Sequence, residues 1–251
     1  MPTPPSLDLP ASIEALADEL MTCPGAEAVV VGGSRAIGRS VAGSDWDLGL
    51  HYRGEIDLEP LTRRGEVHPP GSWGRIMNGG AWLDVDGTRV DVLLRDLDVV
   101  EHWAAEATGG RFEIDGLPGY VAGITTYSLV AEIDCSLPIR GRVLLDSTFP
   151  PALAVSGPER WRFNRDFSLH HAASHAERGI TTAALGMASK AVLEEAHARC
   201  CQRRRWALNE KHLLAAAGLG ELDRLIEVML AEGAPVAAVV ADLGRRFPTG
   251  S

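Results

Sequence analysis

Short apolar runs that are typical of β-strands recur through the first 150 residues of the chain. They are rich in valine and leucine, and the Asp86-Gly87 pair between two of them has the composition of a tight hairpin turn. Apolar residues at helical spacing precede and follow these runs. The segments predicted as strands are residues 29–31, 48–52, 82–85 and 90–94, and the predicted flanking helices are residues 12–21 and 97–107.

Three further segments of this half carry weaker patterns. Residues 65–80 are rich in glycine and proline, which predicts a loop. Residues 124–133 have apolar positions at helical intervals, which favours a helix over a strand. Residues 142–146 form a compact apolar run, which we expect to be the last strand at the edge of the sheet.

The pattern changes after Phe149-Pro150-Pro151, where the chain becomes alanine-rich and follows a helical period to its end. The predicted helices are residues 158–177, 181–201, 208–217, 221–230 and 235–246. We therefore expect an α+β protein with two domains. Residues 1–150 would form a small mixed β-sheet with flanking helices, and residues 151–251 an all-α helical bundle.

Candidate chemistry is concentrated where the first two predicted strands meet polar residues. Asp45 and Asp47 open the strand that contains residues 48–52, and side chains two positions apart in a strand point to the same face. Two adjacent carboxylates repel each other unless a cation lies between them. A hard divalent cation such as Mg²⁺ takes a few protein carboxylates and fills its other positions with water and substrate phosphate.

The turn after residues 29–31 supplies groups that suit a polyphosphate. In Gly32-Gly33-Ser34 the glycines let backbone N–H groups approach phosphate closely, and the serine hydroxyl adds a donor. Residues 35–42, which begin with Arg35, are predicted to start a helix whose N-terminus favours anions.

This arrangement resembles the nucleotidyltransferase superfamily, which shares its fold with polymerase-β-like enzymes and includes antibiotic nucleotidyltransferases of the aminoglycoside and lincosamide types. The family pattern is an apolar residue, a Gly-Gly or Gly-Ser turn, a short spacer and then Asp-apolar-Asp-apolar. The matching residues are Val31, Gly32, Gly33, Ser34, Asp45, Trp46, Asp47 and Leu48. The family also implies a third carboxylate on a nearby strand, for which Asp91 is our first candidate and Asp84 the second.

The resemblance implies a cofactor and a mechanism as well. Asp45 and Asp47 would bridge two Mg²⁺ ions, one of them shared with Asp91, and a nucleoside triphosphate, expected to be ATP, would be the co-substrate. Its phosphates would be held by Gly32, Gly33, Ser34 and Arg35, and by a lysine of the helical half, Lys190 or Lys211. These are the two lysines of a chain with 22 arginines. The general base would be Asp91 or a glutamate of the bundle, Glu194 or Glu195.

A dinucleotide-binding turn is the main rival interpretation, because GGSRAIG resembles the glycine-rich turn of short-chain dehydrogenases. Such a turn leads into a full helix and a second strand with a later acidic residue. Here only a short spacer separates Gly38 from Asp45, and Ala36 stands where the middle glycine is expected. The pattern therefore favours the nucleotidyltransferase interpretation.

Charge and cysteine content narrow the partners and the compartment. The net charge is −10, and residues 1–150 hold 23 acidic against 11 basic residues. This balance argues against a nucleic-acid ligand and suits a cationic small acceptor. No apolar run approaches the roughly 18 residues of a membrane span. Four cysteines without Cys-x-x-Cys spacing, and an N-terminus without the apolar core of a signal peptide, predict a cytoplasmic protein with reduced thiols.

We therefore expect transfer of a nucleoside monophosphate to a hydroxyl of a small molecule, with release of pyrophosphate, by a monomer or homodimer. Two alternatives stay open: nucleotidyl transfer to tRNA or to a protein, and nucleotide binding without catalysis. His170, His171 and His175 have the spacing of metal ligands on a helix, but helix surface or pocket lining is the better interpretation. The run Arg203-Arg204-Arg205-Trp206 could hold phosphate or RNA, but complementing a helix dipole and capping the bundle is the better interpretation.

Overall fold

The computed structural model of the protein describes residues 8–41 and 43–247, which divide into two compact units. Among the described residues, the first unit comprises residues 8–41, 43–105 and 129–148, and the second comprises residues 106–128 and 149–247. The strands are β1 (Ala26–Val31), β2 (Trp46–Tyr52), β3 (Gly65–His68), β4 (Gly80–Val85), β5 (Thr88–Asp96), β6 (Ile114–Asp115), β7 (Ile124–Thr125) and β8 (Leu137–Gly141).

The helices of the described residues follow the same chain order, with one 3₁₀ turn at Glu59–Leu61. They are α1 (Ala11–Leu20), α2 (Gly33–Ala36), α3 (Gly74–Met77), α4 (Leu97–Thr108), α5 (Ser128–Cys135), α6 (Leu153–Glu177), α7 (Thr181–Gln202), α8 (Leu213–Ala217), α9 (Glu221–Ala231) and α10 (Val236–Arg246).

The first unit is built on a six-stranded sheet in the order β3-β4-β5-β2-β1-β8. Its two central strands, β2 and β5, run parallel, and the other neighbouring pairs are antiparallel. Because side chains alternate along a strand, each strand gives one set of residues to each face. The sheet therefore has two chemically different faces, and the candidate site lies on the polar face.

The apolar face of the sheet packs against α1. The helix buries a stripe at helical spacing, and each strand contributes alternate residues to the same core. Members of this core include Ile13, Leu16, Leu20, Val29, Val31, Trp46, Leu48, Leu50, Leu83, Val90, Val92 and Leu94. Trp46 faces this core, so its neighbours Asp45 and Asp47 are directed to the opposite face.

The second unit consists of α6–α10 and the two-stranded ribbon β6–β7, with two apolar cores. Trp161 of α6 is fully buried at the centre of one core, where its indole N–H donates to the Tyr127 hydroxyl at 3.1 Å. The imidazole of His197 on α7 stacks on the same indole, with ring centroids 4.3 Å apart. Both nitrogens of the buried His197 ring lack a hydrogen-bond partner.

The predicted fold class is confirmed: the protein is α+β, with a small mixed sheet and flanking helices followed by a helical region. The five predicted helices of the second half are all found, with shifted ends. The largest shifts are at the starts of α8, which begins at Leu213, and of α6, which begins at Leu153 and contains Pro158 in its interior. The sequence placed that proline at the helix start because proline favours the first helical turn.

Four local predictions are wrong. Residues 65–80 are not all loop, because β3 pairs with β4 and α3 follows it. Residues 142–146 are not the edge strand. That strand is β8, whose Leu137 and Ile139 pack on the sheet core, whereas Leu144 is 84% exposed.

The other two errors concern helices. Residues 124–133 do not form one helix, because β7 pairs with β6 before α5 begins at Ser128. The predicted helix over residues 35–42 is the single turn α2, Gly33–Ala36, and Ala42 lies outside the described residues. Apolar spacing in residues 124–133 was matched to a helix where the chain pairs first, and after the glycine turn the helix ends within one turn.

The packing of residues 106–128 differs from the predicted domain division. The sequence assigned them to residues 1–150, but in the structure they belong to the second unit. Phe112, Ile114 and Tyr127 pack in the same core as Trp161, and aromatic burial of this size outweighs chain continuity. The boundary after Pro150 stays a prediction about domains.

Two further observations concern the whole of the described chain. None of its helices is long and apolar enough to cross a membrane. Cys23, Cys135, Cys200 and Cys201 are free thiols, and burial raises the pKa of each of them.

The buried His197 generates a prediction about pH. Burial lowers the pKa of its imidazole from 6.5 to about 3, so below about pH 6.5 the unfolded chain binds a proton that the folded ring does not. The free energy of unfolding therefore decreases as the pH falls from 6.5 towards 3. We expect His197→Phe, which keeps a ring against Trp161, to remove roughly 2–3 kcal/mol of this loss at about pH 4.5.

Urea unfolding of both proteins across this pH range measures the effect. At pH 8 the imidazole is neutral in both states, so the two proteins should differ there only by their packing. Equal pH dependence in the wild type and the variant would contradict the buried, neutral state of His197.

Candidate active site

Asp47 and Asp91 lie side by side on the two central strands of the sheet. In the parallel register of β2 and β5, Asp47 is directly opposite Asp91. Paired residues of adjacent strands share a face, and neighbouring strands are about 4.8 Å apart. The structure therefore brings together one aspartate of the Asp-Trp-Asp pattern and the first candidate for the third carboxylate.

The glycine turn lies against the carboxylate of Asp47. The Gly32 N–H donates to the backbone carbonyl of Asp47 at 2.8 Å. Gly33 has a φ of +59°, and a Cβ added to it would lie 1.7 Å from Asp47 Oδ2. Only glycine permits this approach, so the residues predicted to cradle phosphate and those predicted to bind metal meet at one place.

Asp45, the other aspartate of the Asp-Trp-Asp pattern, precedes β2 and shares a cationic neighbour with Asp91. The Arg89 Nε donates to Asp91 Oδ1 at 3.1 Å and lies 3.9 Å from Asp45 Oδ2. The hydrogen bond to Asp91 raises the pKa of the Arg89 guanidinium, and the charges of Asp45 and Asp47 add to the effect. A positive charge therefore already offsets part of the repulsion among the three aspartates.

Arg35 fixes the segment that leads to Asp45. Its guanidinium donates to the carbonyls of Ser44 and Asp45, the latter at 3.1 Å, and lies 4.2 Å from the centre of the Trp46 ring. These contacts join the end of α2 to the start of β2 and restrict the backbone of Asp45. The predicted role of Arg35 in nucleotide binding stays a prediction.

The donor set suits a hard cation, although the three carboxylates are not gathered into a closed site. Within residues 8–41 and 43–247, no group of three or more His, Cys, Asp or Glu side chains is close enough to hold a metal ion. The set that fits is the in-register pair Asp47 and Asp91, which offers carboxylate oxygens on one face. The guanidinium of Arg89, which contacts Asp91 and lies near Asp45, is a cation already held on this face.

The same face is closed at the other end of the strands. His51 and Arg95 are opposite each other in the β2–β5 register, and both are buried. Arg95 donates to Glu132 of α5 at 2.7 Å and to the Met77 carbonyl at 2.9 Å. Burial and the nearby Arg95 charge lower the pKa of His51 to about 4. This end is a structural anchor, which leaves the aspartate end available for chemistry.

An aromatic surface borders the aspartate pair on its other side. Trp82 of β4 is opposite Asp91 in the sheet, so it shares the site face, and 45% of the residue is exposed. Its ring stacks on Trp73 with centroids 5.5 Å apart, and it meets the His68 ring edge-to-face with centroids 4.6 Å apart. A Cβ on Gly80 would lie 2.6 Å from the Trp73 ring, so Gly80 makes room for this cluster.

The sequence analysis missed Arg89 and Trp82. Both could have been found by counting from the Asp86-Gly87 turn, which sets Asp84 opposite Arg89 and Trp82 opposite Asp91. The sequence pattern assigns Trp82 to a strand and gives Arg89 no role. The signal was the spacing of two residues between Arg89 and Asp91, which puts both on one face.

Comparison with known proteins adds one distant structural similarity to this geometry. No family model matches the chain, and no curated protein matches it. Among solved structures, it is similar to the crystal structure of a nucleotidyltransferase-like protein from Exiguobacterium sibiricum 255-15. The two chains are 12% identical, the similarity covers 94% of this chain and 72% of that chain, and the TM-score is 0.46. We therefore base the function on the contacts of the site.

The two predicted phosphate-binding lysines belong to the second unit. Lys190 lies on α7, where its Nζ is 4.0 Å from Glu194 Oε1, one helical turn further on. Lys211 is exposed in the segment before α8, and its backbone N–H donates to the side chain of Asn209 at 3.1 Å. Their roles at a triphosphate stay predictions.

The two bundle glutamates differ in their surroundings. Both oxygens of Glu195 accept from guanidinium groups, those of Arg165 at 2.6 Å and Arg199 at 2.9 Å, which argues against a general base there. Glu194 is buried with one oxygen unpaired, and burial raises the pKa of its carboxyl. Of the two, Glu194 is the one with the protonation chemistry of a base.

The remaining candidates of the second unit have structural contacts. His171 lies between His170 and His175, with ring centroids 5.7 and 6.3 Å apart, and these rings form no metal-holding group among the described residues. Two arginines of the predicted capping run have contacts of the expected kind. Arg203 and Arg205 donate to the carbonyls of Ala217 and Ala216 at the end of α8.

The contact between the turn and Asp47 leads to a prediction with a matched control. Gly33→Ala introduces backbone strain and a Cβ that must displace the Asp47 carboxylate. Gly38→Ala introduces the same kind of strain at φ +67°, but a Cβ there meets nothing within 4 Å. We expect both variants to lose about 1 kcal/mol of stability from strain, with a further loss of about 1–3 kcal/mol in Gly33→Ala alone.

Chemical unfolding measures both losses, and calorimetric titration with Mg²⁺ and a nucleoside triphosphate measures binding. Binding should be lost in Gly33→Ala and kept in Gly38→Ala. Equal behaviour of the two variants would contradict a functional contact between the turn and Asp47.

Proposed function

We propose that this protein is a Mg²⁺-dependent nucleotidyltransferase. It transfers a nucleoside monophosphate, expected to be AMP, to a hydroxyl of a small molecule and releases pyrophosphate. The observation that carries the proposal is the pairing of Asp47 with Asp91 beneath a turn whose Gly33 leaves no room for a side chain. Two carboxylates held side by side do not stabilise the fold, because their mutual repulsion lowers its stability.

The chain's own residues divide the work between the two substrates. Gly32, Gly33 and Ser34 hold the phosphates of the triphosphate through backbone N–H groups and a hydroxyl. Asp47 and Asp91 hold the divalent cation through oxygen atoms, with Asp45 beside them. Asp91 accepts the proton of the attacking hydroxyl, for which Glu194 is the alternative base.

Magnesium bound by these aspartates would lower the pKa of the acceptor hydroxyl and offset charge on the phosphates. Positioning is the other contribution, because Asp47 and Asp91 lie on the rigid centre of the sheet rather than on loops. We propose two magnesium ions, as the sequence-based prediction does.

The acceptor is proposed from charge and shape. Residues 1–150 carry an excess of 12 acidic residues, which favours a cationic acceptor over a nucleic acid. The exposed face of Trp82 beside Asp91 offers a flat surface on which a ring or a cationic group of the acceptor can pack. A small cationic molecule that carries a hydroxyl fits both features, and a cytoplasmic location is a separate part of the proposal.

Nucleotide binding without catalysis is the second candidate. It is favoured by the contact of Arg89 with Asp91, since this guanidinium lies where an active enzyme needs access for a metal ion. The two functions differ in product. A pyrophosphate assay with ATP, Mg²⁺ and a panel of aminoglycosides, lincosamides and bulk tRNA separates them. Release with a small acceptor supports the enzyme, and nucleotide binding without release supports the second candidate.

The paired carboxylates give a direct test of the mechanism. Asp47→Asn keeps the size of the side chain but removes its charge, so we expect pyrophosphate release to fall by at least about 10³-fold while the fold is kept. Asp91→Asn should have a similar effect. Release is measured by steady-state kinetics and the fold by circular dichroism.

Asp84→Asn is the control, because Asp84 lies on the same face but its carboxylate accepts the Gly87 N–H in the hairpin turn. It should retain release within about threefold of the wild type, since no transition-state contact is removed. Full turnover in Asp47→Asn would remove the metal role from this pair.

A further inference from the structure

Arg89 contacts two of the three aspartates on the polar face of the sheet. It precedes Asp91 by two residues on β5, so the two side chains share a face. Its Nε is 3.1 Å from Asp91 Oδ1 and 3.9 Å from Asp45 Oδ2. The arginine thus contacts one carboxylate directly and lies within ion-pair distance of a second.

In this position Arg89 competes with a divalent cation for the carboxylate of Asp91. An Asp91 oxygen that accepts from a guanidinium has less electron density and less space to offer a divalent cation, and two positive charges at one carboxylate repel each other. A cation that binds Asp91 must therefore displace Arg89 or share the carboxylate at a cost. Arg89 is free to move on steric grounds, since its side chain is 62% exposed and the ion pair is screened by water.

A triphosphate changes the balance, because it offers Arg89 another anion. Guanidinium groups bind phosphate oxygens with two parallel hydrogen bonds, at least as well as they bind a carboxylate. The phosphate-cradling turn lies against Asp47, the strand neighbour of Asp91. A nucleotide held by that turn therefore brings its phosphates to the group of charges to which Arg89 belongs.

We propose that Arg89 is a resident counter-cation of the site. When a nucleotide binds, the Arg89 side chain moves from Asp91 to the phosphates, so that metal and nucleotide bind cooperatively. In this role it is a positioning residue that holds the aspartates together when the site is empty. The inference rests on the proposed function, because it takes Asp47 and Asp91 as metal ligands.

The consequence for affinity follows from linkage. If nucleotide removes a competitor of the metal, each ligand raises the affinity for the other by the same factor. When Arg89 is removed, the metal binds tightly even without nucleotide, and the part of the coupling that Arg89 supplies disappears. The direct contact between metal and phosphates supplies the remainder, which is common to the wild type and the variant.

The test measures Mn²⁺ binding by calorimetry and by electron paramagnetic resonance, with and without a non-hydrolysable ATP analogue. The variant is Arg89→Gln, which keeps a polar side chain and removes the charge. The matched control is Arg63→Gln, which removes the same charge from an arginine that is 71% exposed and pairs with Glu19. Asp47→Asn identifies which part of the Mn²⁺ binding belongs to the site.

We expect Arg89→Gln to bind Mn²⁺ about 3–10-fold more tightly than the wild type without nucleotide, and to show a coupling factor reduced by about the same ratio. Arg63→Gln should match the wild type within about twofold, because only long-range charge is lost. Mn²⁺ binding that depends on Asp47 but is equal or weaker in Arg89→Gln would overturn this inference alone. Mn²⁺ binding that Asp47→Asn leaves unchanged would overturn the proposed function as well.

Discussion

The parallel pairing of β2 with β5 is the constraint on which the site depends. It sets Asp47 opposite Asp91 at the centre of the sheet, two strands from either edge. A slip of one residue would turn Asp91 to the face that packs against α1. The apolar partners on that face, which include Val90 and Leu48, fix the register, so the position of the carboxylates is set by the burial of their neighbours.

Like charges placed together in this way require compensation, and the structure supplies it locally. Gly33 brings the backbone of the turn against Asp47, Arg89 donates to Asp91, and Arg35 holds the backbone at Asp45. Arg35 also packs on the ring of Trp46, a member of the apolar core. Together these contacts keep three carboxylates and a glycine turn in one arrangement, which is the pattern expected where folding and function compete.

Local sequence patterns were sufficient to identify the candidate site residues that lie close to one another in the sequence. The turn, Asp45 and Asp47 lie within a single strand-turn-strand segment, and Asp91 lies on the second strand of a hairpin whose turn is recognisable. Arg89 and Trp82 were missed because their roles depend on which strands are neighbours. The strand β8 was misplaced for a similar reason, since only pairing with β1 distinguishes Leu137–Gly141 from the more apolar run after it. Residues 106–128 join the second unit through aromatic packing that no periodicity reveals.

The central claim is that Asp47 and Asp91 hold a divalent cation beside a nucleotide on the glycine turn. Crystals grown with Mn²⁺ and a non-hydrolysable nucleoside triphosphate, measured at the manganese absorption edge, test it most directly. The account predicts an anomalous peak within about 2.5 Å of carboxylate oxygens of both residues, with phosphate density at Gly33 and Ser34. A peak elsewhere on the acidic surface, with Arg89 still on Asp91 and the turn unoccupied, would contradict it.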